Sequence, residues 1–272
     1  MHSSVLRQRG FTLVELIMVI VILGIVGAMV AVFIRSPVDA YFDTARRAAL
    51  SDAADTVLRR VARDLRKALP NSIRNPSPDC IEFIPTRTGG RYRAQDEVPG
   101  DGTALDLSLT DSRFNMLGRN LDQPDDQQIR VNDRIAVYNL GIPGADAYAG
   151  DNTAVVTGVT NGAESVILMA AKKFPLASPS HRFHVIPAEE TVVSYVCRGG
   201  ALYRNSGYGY ATSCPAPVAG TTPLMAGNVA ACSFTYGGSN LQRDALVQMT
   251  LQLSDGGESI SLYHTVHVNN TP

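Results

Sequence analysis

Apolar positions along the chain follow one spacing after another. From 16 to 34 the sequence reads LIMVIVILGIVGAMVAVFI, with no charge and no strong hydrogen-bonding side chain. As a helix that run is about 28 Å long, close to the thickness of bilayer hydrocarbon. A helix in a soluble core is rarely apolar on every face for so long. The span therefore predicts a membrane-crossing helix. After Pro37, which should kink or interrupt it, the pattern becomes amphipathic. Phe42, Ala45, Ala49, Ala53, Val57, Val61 and Leu65 recur at three- and four-residue steps, with Arg46, Arg59, Arg63 and Arg66 on other faces. Pro70 and Asn71-Ser72 end the pattern. A straight helix from 11 to 69 would be about 88 Å long.

Beyond residue 78 the period falls to two. Strands are predicted at 80–85, 104–110, 128–138, 153–160, 164–170, 182–186, 191–198, 201–205, 229–236, 245–253 and 259–268. Val247, Met249, Leu251 and Leu253 alternate with Gln248, Thr250 and Gln252, the mark of a half-buried strand. Ser254-Asp255-Gly256-Gly257 and Arg198-Gly199-Gly200-Ala201 each predict a hairpin. The stretches 87–102, 111–127, 141–152 and 206–228 read as Gly/Pro/Asp-rich loops. No internal repeat is present. The fold class is α+β: a long N-terminal helix, first transmembrane and then amphipathic, packed on an antiparallel β-rich head.

Charge narrows the function. The 272 residues carry 24 Lys+Arg against 25 Asp+Glu, a formal net charge of −1. That balance gives no global attraction for nucleic acid, so nucleic acid is not an expected partner. Residues 1–10 carry two Arg and no acid, 35–69 are +3, and 70–272 are −5. Arg7 and Arg9 ahead of the span favour a cytoplasmic N-terminus, with the bulk of the chain across the membrane. A cleaved secretory signal has a shorter apolar region and a small-residue cleavage site. Phe33-Ile34-Arg35-Ser36-Pro37 offers no Ala-x-Ala pattern, so the span stays attached.

Glu15 is out of place. An ionised carboxylate one turn into an apolar stretch is costly without a partner, and no basic residue follows within helical reach. Its partner must come from outside the segment. Gly24, Gly27, Ala28 and Ala31 give small-residue spacings suited to close helix approach, or are small residues merely tolerated in a membrane helix.

Arg9-Gly10-Phe11-Thr12-Leu13-Val14-Glu15, followed by the apolar span, resembles the prepilin cleavage and methylation motif of type IV pilins and type II secretion pseudopilins. The resemblance implies that a membrane prepilin peptidase/N-methyltransferase cuts between Gly10 and Phe11 and methylates Phe11. Arg7 and Arg9 would hold the leader on the cytoplasmic side. Glu15 would pair with the Phe11 ammonium of a neighbouring subunit; such a pair nearly breaks even energetically but sets register between staggered helices. Residues 63–74 resemble the end of the long helix in larger minor pilins, those of the mannose-sensitive haemagglutinin pilus first and J-type pseudopilins next.

The implied organisation is a leader at 1–10, a transmembrane and assembly helix at 11–34, an amphipathic helix at 35–70 and a periplasmic head at 71–272. The implied partners are the prepilin peptidase, other minor pilins and the major pilin, the inner-membrane assembly platform and the lipid bilayer. The chain would sit in the inner membrane of a Gram-negative bacterium as a single-pass protein, then on the pilus or cell surface. The Arg run on the amphipathic helix reads as a solvated face, or alternatively as a lipid-headgroup contact.

The remaining constellations have plainer readings. Outside the cytoplasm the four cysteines should be oxidised. Three pairings are open. Cys197–Cys214 is favoured because it closes an otherwise unstructured loop, which leaves Cys80–Cys232. No Cys-x2-Cys pair exists, so zinc is not expected. His181 and His184 would point to opposite faces of a strand. His264 is in phase with Ile260, Leu262, Val266 and Val268 and reads as a core histidine. Asp122, Asp125 and Asp126 lack an EF-hand pattern and read as a solvated loop. No nucleophile elbow, phosphate loop or dinucleotide fingerprint appears. A non-enzymatic assembly subunit without cofactor or metal is therefore expected, helping to initiate or cap a pilus. A type II secretion pseudopilin and a tip adhesin using the 206–228 loop are the alternatives; a tethered enzyme lacks a catalytic constellation.

Overall fold

The computed structural model describes residues 10–211, 213–218, 220–237 and 244–272. The predicted leader, with Arg7 and Arg9, lies outside the described residues apart from Gly10. The chain divides into two compact units, Met1–Ala49 and Leu50–Pro272.

One helix, α1, runs from Leu13 to Arg66. Pro37 does not interrupt it. A proline there removes one backbone donor, and the hydrogen bonds of the turns on either side carry the helix across it. In the first unit α1 is exposed from Leu13 to Ile34, Leu13 by 74% and Phe33 by 84%. Its most apolar window has a mean hydropathy of 3.2, and none of that window is buried. Fourteen strands follow among the described residues. They are β1 (Arg74–Ser77), β2 (Cys80–Phe83), β3 (Thr88–Arg91), β4 (Asp111–Met116), β5 (Arg134–Val137), β6 (Thr153–Thr160) and β7 (Ser165–Lys172). Then come β8 (Arg182–Ile186), β9 (Val193–Arg198), β10 (Ala201–Ser206), β11 (Leu224–Ala226), β12 (Val229–Gly237), β13 (Asp244–Asp255) and β14 (Glu258–Asn269). Their pairings are antiparallel. The α+β class read from the sequence holds.

In the second unit the helix buries Leu50, Ala54, Val57, Leu58, Val61, Ala62 and Leu65. Ala49 and Ala53 are exposed, which corrects the predicted stripe. A strict four-residue step drifts about 40° around a helix each time; the buried set alternates steps of three and four and so stays on one face. Each buried Leu or Val contributes about 1.5–3 kcal/mol. The helix ends as Lys67 and Ala68 donate back to Asp64 and Leu65, and Leu69 N–H turns instead to Ile84 C=O at 2.8 Å. Asn71, with φ of 58°, then fixes the exit: its side-chain amide donates to Asn139 C=O (2.9 Å) and Asn270 C=O (3.1 Å).

The stripe covers two sheets, ordered β1-β2-β9-β10-β11 and β12-β13-β14. Asp64 ties it down: it accepts from Tyr195 Oη at 2.7 Å and Arg204 Nε at 3.0 Å. The Arg204 fork also grips Glu190 at 2.7 and 2.9 Å and holds that carboxyl below its ordinary range. Between β2 and β9 the chain inserts a third sheet, ordered β3-β8-β5-β6-β7-β4, with its own core of Tyr92, Phe114, Ile135, Ile167 and Phe183. A bridge between Tyr92 and Met116, flanked by Leu117 N–H on Arg91 C=O (2.9 Å), joins its edges into a small barrel.

Several predicted boundaries move. The alternating Leu105, Leu107 and Leu109 do not make a strand, because Asp106 Oδ1 captures the N–H groups of Ser108 (2.8 Å) and Leu109 (3.3 Å) in a turn. The strand predicted at 128–138 shortens to β5, since Asn132 (φ 74°) turns the chain first. The predicted loops contain β3, β4 and β11, and β1 had no prediction.

Gly90 in β3 lies against the barrel core: a Cβ there would stand 2.9 Å from Cε1 and Cζ of Phe183 and 3.3 Å from Met116 Sδ. Phe183 is 1% exposed and cannot yield. Gly90→Ala should therefore destabilise the head by about 1–3 kcal/mol, read from thermal unfolding. An unchanged unfolding curve would contradict this packing.

Opposite Gly89 on β8, burial and then the charge of Arg182 lower the His184 pKa from 6.5 to about 4. Between those values the unfolded chain binds the proton more tightly. Stability is therefore full above pH 6.5 and declines as pH falls toward 4, by up to about 3 kcal/mol. His184→Gln should flatten the stability profile in that window, measured by urea unfolding at each pH; the same slope in the variant would refute it.

Candidate processing and assembly site

The N-terminal segment is built from a few residues around the helix start. Gly10 is exposed, and a Cβ there would meet no described atom of the chain. Phe11 is 87% exposed. The Gly10–Phe11 bond thus precedes the helix on an accessible extension. Leu16 N–H donates to Thr12 C=O at 3.2 Å, the first helical bond. Glu15 N–H donates to Thr12 Oγ1 at 3.3 Å, while Glu15 Oε2 accepts from Thr12 N–H and Thr12 Oγ1, each at 3.1 Å. This reciprocal pair is a capping box, satisfying donors that a helix start leaves unpaired.

Glu15 therefore has a local polar partner in Thr12, although no basic residue follows it within helical reach. The signal was present in the sequence: Thr12-x-x-Glu15 immediately before an apolar run. A negative charge in the first turn also complements the helix dipole. The capping bonds use the Thr12 N–H, which is not part of the Gly10–Phe11 bond, so the cap survives a cut there. A Cβ at Gly24 or Gly27 would meet no described atom within 4 Å, so these glycines serve no close approach inside the described chain.

The structure pairs the cysteines differently from the favoured reading. The disulfides are Cys80–Cys214 and Cys197–Cys232, with Cα separations of 6.6 and 6.2 Å. The reason is register. Cys80 on β2 lies opposite Val196 on β9, so the next residue, Cys197, points to the other face of that sheet. Cys197 reaches Cys232 of β12 against the main core. Cys80 meets Cys214 on the opposite face.

The 206–228 loop is held down by this second bridge. Tyr208 Oη donates to the buried Glu82 at 2.9 Å, Asn205 Nδ2 to Pro215 C=O at 2.9 Å, and Arg74 to both Glu82 and Ala211 C=O. Tyr210 packs edge-on against Tyr148, whose ring carries Arg74 at 3.9 Å. Residues 212 and 219 of the loop lie outside the described residues.

The other candidates stay apart. His181 sits in a turn with φ of 54° and His184 in β8. Asp122 contacts Arg119 at 3.6 Å, and Asp125 accepts from Gln128 at 3.2 Å; both acids are exposed, as is Asp126. Among the described residues no group of His, Cys, Asp or Glu is arranged to hold a metal ion. His264 is half-buried rather than core, and lines an open groove of about 500 Å³ with Asp55, Arg59, Ala62, Arg63 and Arg66 of α1. Arg59 pairs with Asp55 at 2.6 Å, and Arg46 with Asp43 at 3.3 Å.

No curated protein and no solved structure matches this chain. Residues 6–31 match the family model described as the prokaryotic N-terminal methylation motif. That match, with the apolar exposed helix behind it, supports a single-pass, membrane-anchored subunit of the type IV pilin and pseudopilin kind, processed by a prepilin peptidase.

Proposed function

We propose that the chain is a minor pilin, similar to MshO of the mannose-sensitive haemagglutinin pilus, which helps to initiate or cap pilus assembly. It has no enzymatic role, and no cofactor or metal. The observation that carries this reading is the junction at Gly10–Phe11, exposed and placed just ahead of a capped helix whose residues 16–34 carry no charge. The inserted barrel adds bulk to the head, and bulk suits a tip better than a repeating shaft. The head would be periplasmic, then displayed on the pilus of a Gram-negative bacterium. Its partners would be the other minor pilins, the major pilin and the inner-membrane assembly platform. A J-type pseudopilin of type II secretion uses the same processing and the same helix. Adhesion through the 206–228 loop has less support, because the loop is bridged and hydrogen-bonded onto the head.

N-terminal sequencing of the membrane form should read Phe-Thr-Leu-Val-Glu with a methylated first residue. A start at Met1, or a cut near Ser36, would sink the prepilin reading. Labelling of the head on purified pili should mark tips. Label along the shaft, or none on pili, would count against the minor-pilin role.

A further inference from the structure

The sheet β12-β13-β14 has two very different edges. The β12 edge is closed: Phe234 N–H donates to Pro78 C=O at 2.7 Å, Val229 N–H to Gly200 C=O at 2.9 Å, and Cys232 is bridged to Cys197. The β14 edge is open. Among the described residues none pairs with its outer side from Ser259 to Asn269. Natural sheets blunt such edges with Lys, Pro, bulges or brevity. Residues Ser259 to Asn269 carry no Lys or Pro, and the β13–β14 register runs without a shift from Asp255↔Glu258 to Asp244↔Asn269.

The hairpin sets which backbone groups point outward. Gly256 and Gly257, at φ of 56° and 89°, form a two-residue loop, so Asp255 and Glu258 are the hydrogen-bonded pair flanking it. Pairs then alternate. Ile260, Leu262, His264, Val266 and Val268 turn their backbone groups to β13. Ser259, Ser261, Tyr263, Thr265 and His267 turn theirs outward. The groove that His264 shares with α1 lies beside this strand. Its Arg59 is matched by Asp55, while Arg63 and Arg66 are exposed and make no ion pair among the described residues.

We infer that the open edge of β14 takes up an extended strand from a partner protein, and that this strand carries carboxylates on the side facing Arg63 and Arg66. The backbone row supplies pairing and the arginines select an acidic strand. A second copy of β14 would bring its own arginines to this edge and so is not the occupant. The inference goes beyond the assembly role given to the N-terminal helix, because it places a partner contact on the head.

Fluorescence anisotropy with the full chain in detergent micelles tests it. The probe is a capped peptide of about ten residues alternating Glu and Val, set against its Lys/Val counterpart. The Glu/Val peptide should bind saturably and the Lys/Val peptide should not. Thr265→Pro removes one outward N–H and leaves the β13 ladder intact, as prolines on edge strands do. It should weaken binding at least about tenfold, as should Arg63→Glu with Arg66→Glu on the exposed helix face. Thermal unfolding confirms that each variant is folded, and the arginine variant carries the test if the proline one is not. No saturable binding of the Glu/Val peptide overturns the inference. So does equal binding of the Lys/Val peptide, or loss in the arginine variant with full binding in a folded Thr265→Pro.

Discussion

Removing either disulfide is expected to cost the head about 2–5 kcal/mol, enough to unfold a domain of ordinary stability near body temperature. The two bridges span sequence separations of 134 and 35 residues. On the chain-entropy account closing loops of those sizes is worth about 5 and about 4 kcal/mol. The loops overlap, so the two figures do not add. The bridges also do different work. Cys80→Ser with Cys214→Ser should release the 206–228 loop, seen as early cleavage there by limited proteolysis. Cys197→Ser with Cys232→Ser should loosen the joint between β9 and β12 and lower the unfolding midpoint of the whole head. Non-reducing peptide mapping checks the pairing itself. A Cys197–Cys214 linked peptide, or double variants as stable as the parent, would refute this account.

That pairing shows where sequence reading reached its limit. Proximity along the chain favoured Cys197 with Cys214, but disulfide partners are chosen by faces of a sheet, and faces depend on register between distant strands. No local pattern reveals that Cys80 sits opposite Val196. Long regular elements were legible because they repeat: β6 and β8 match their predicted spans, and both glycine hairpins occur. Short strands in glycine-rich sequence were not. Thr88–Arg91 reads as a loop because Gly89 and Gly90 look like turn residues, yet they are glycine so that the chain can pass close to Phe183. The inserted barrel was illegible for the same reason. Its closure rests on a bridge between Tyr92 and Met116, neither of which carries a pattern. The processing segment was the most legible part, since motif, acid and apolar run are consecutive. Only the Thr12–Glu15 cap was missed there.

Replacing Glu15 should separate its two tasks. The carboxylate caps the helix through Thr12, and in the proposed assembly it also neutralises the Phe11 ammonium of a neighbour. Gln keeps an oxygen that can accept the Thr12 N–H but carries no charge. Ala removes both. Loss of the cap costs about 1 kcal/mol. An unmatched buried ammonium costs about 3–5 kcal/mol, which is more than a hundredfold in association. Charge therefore outweighs capping in the assembled state, and Gln and Ala should both fail to co-purify with partner pilins. Neither change touches residues 50–272, so the thermal unfolding of the head should be unaltered in each. Processing should also proceed in both, because the Gly10–Phe11 bond lies outside the capped turn. Gln assembling as well as the parent while Ala fails would assign Glu15 to the cap alone. Normal complex formation by both would remove Glu15 from assembly altogether.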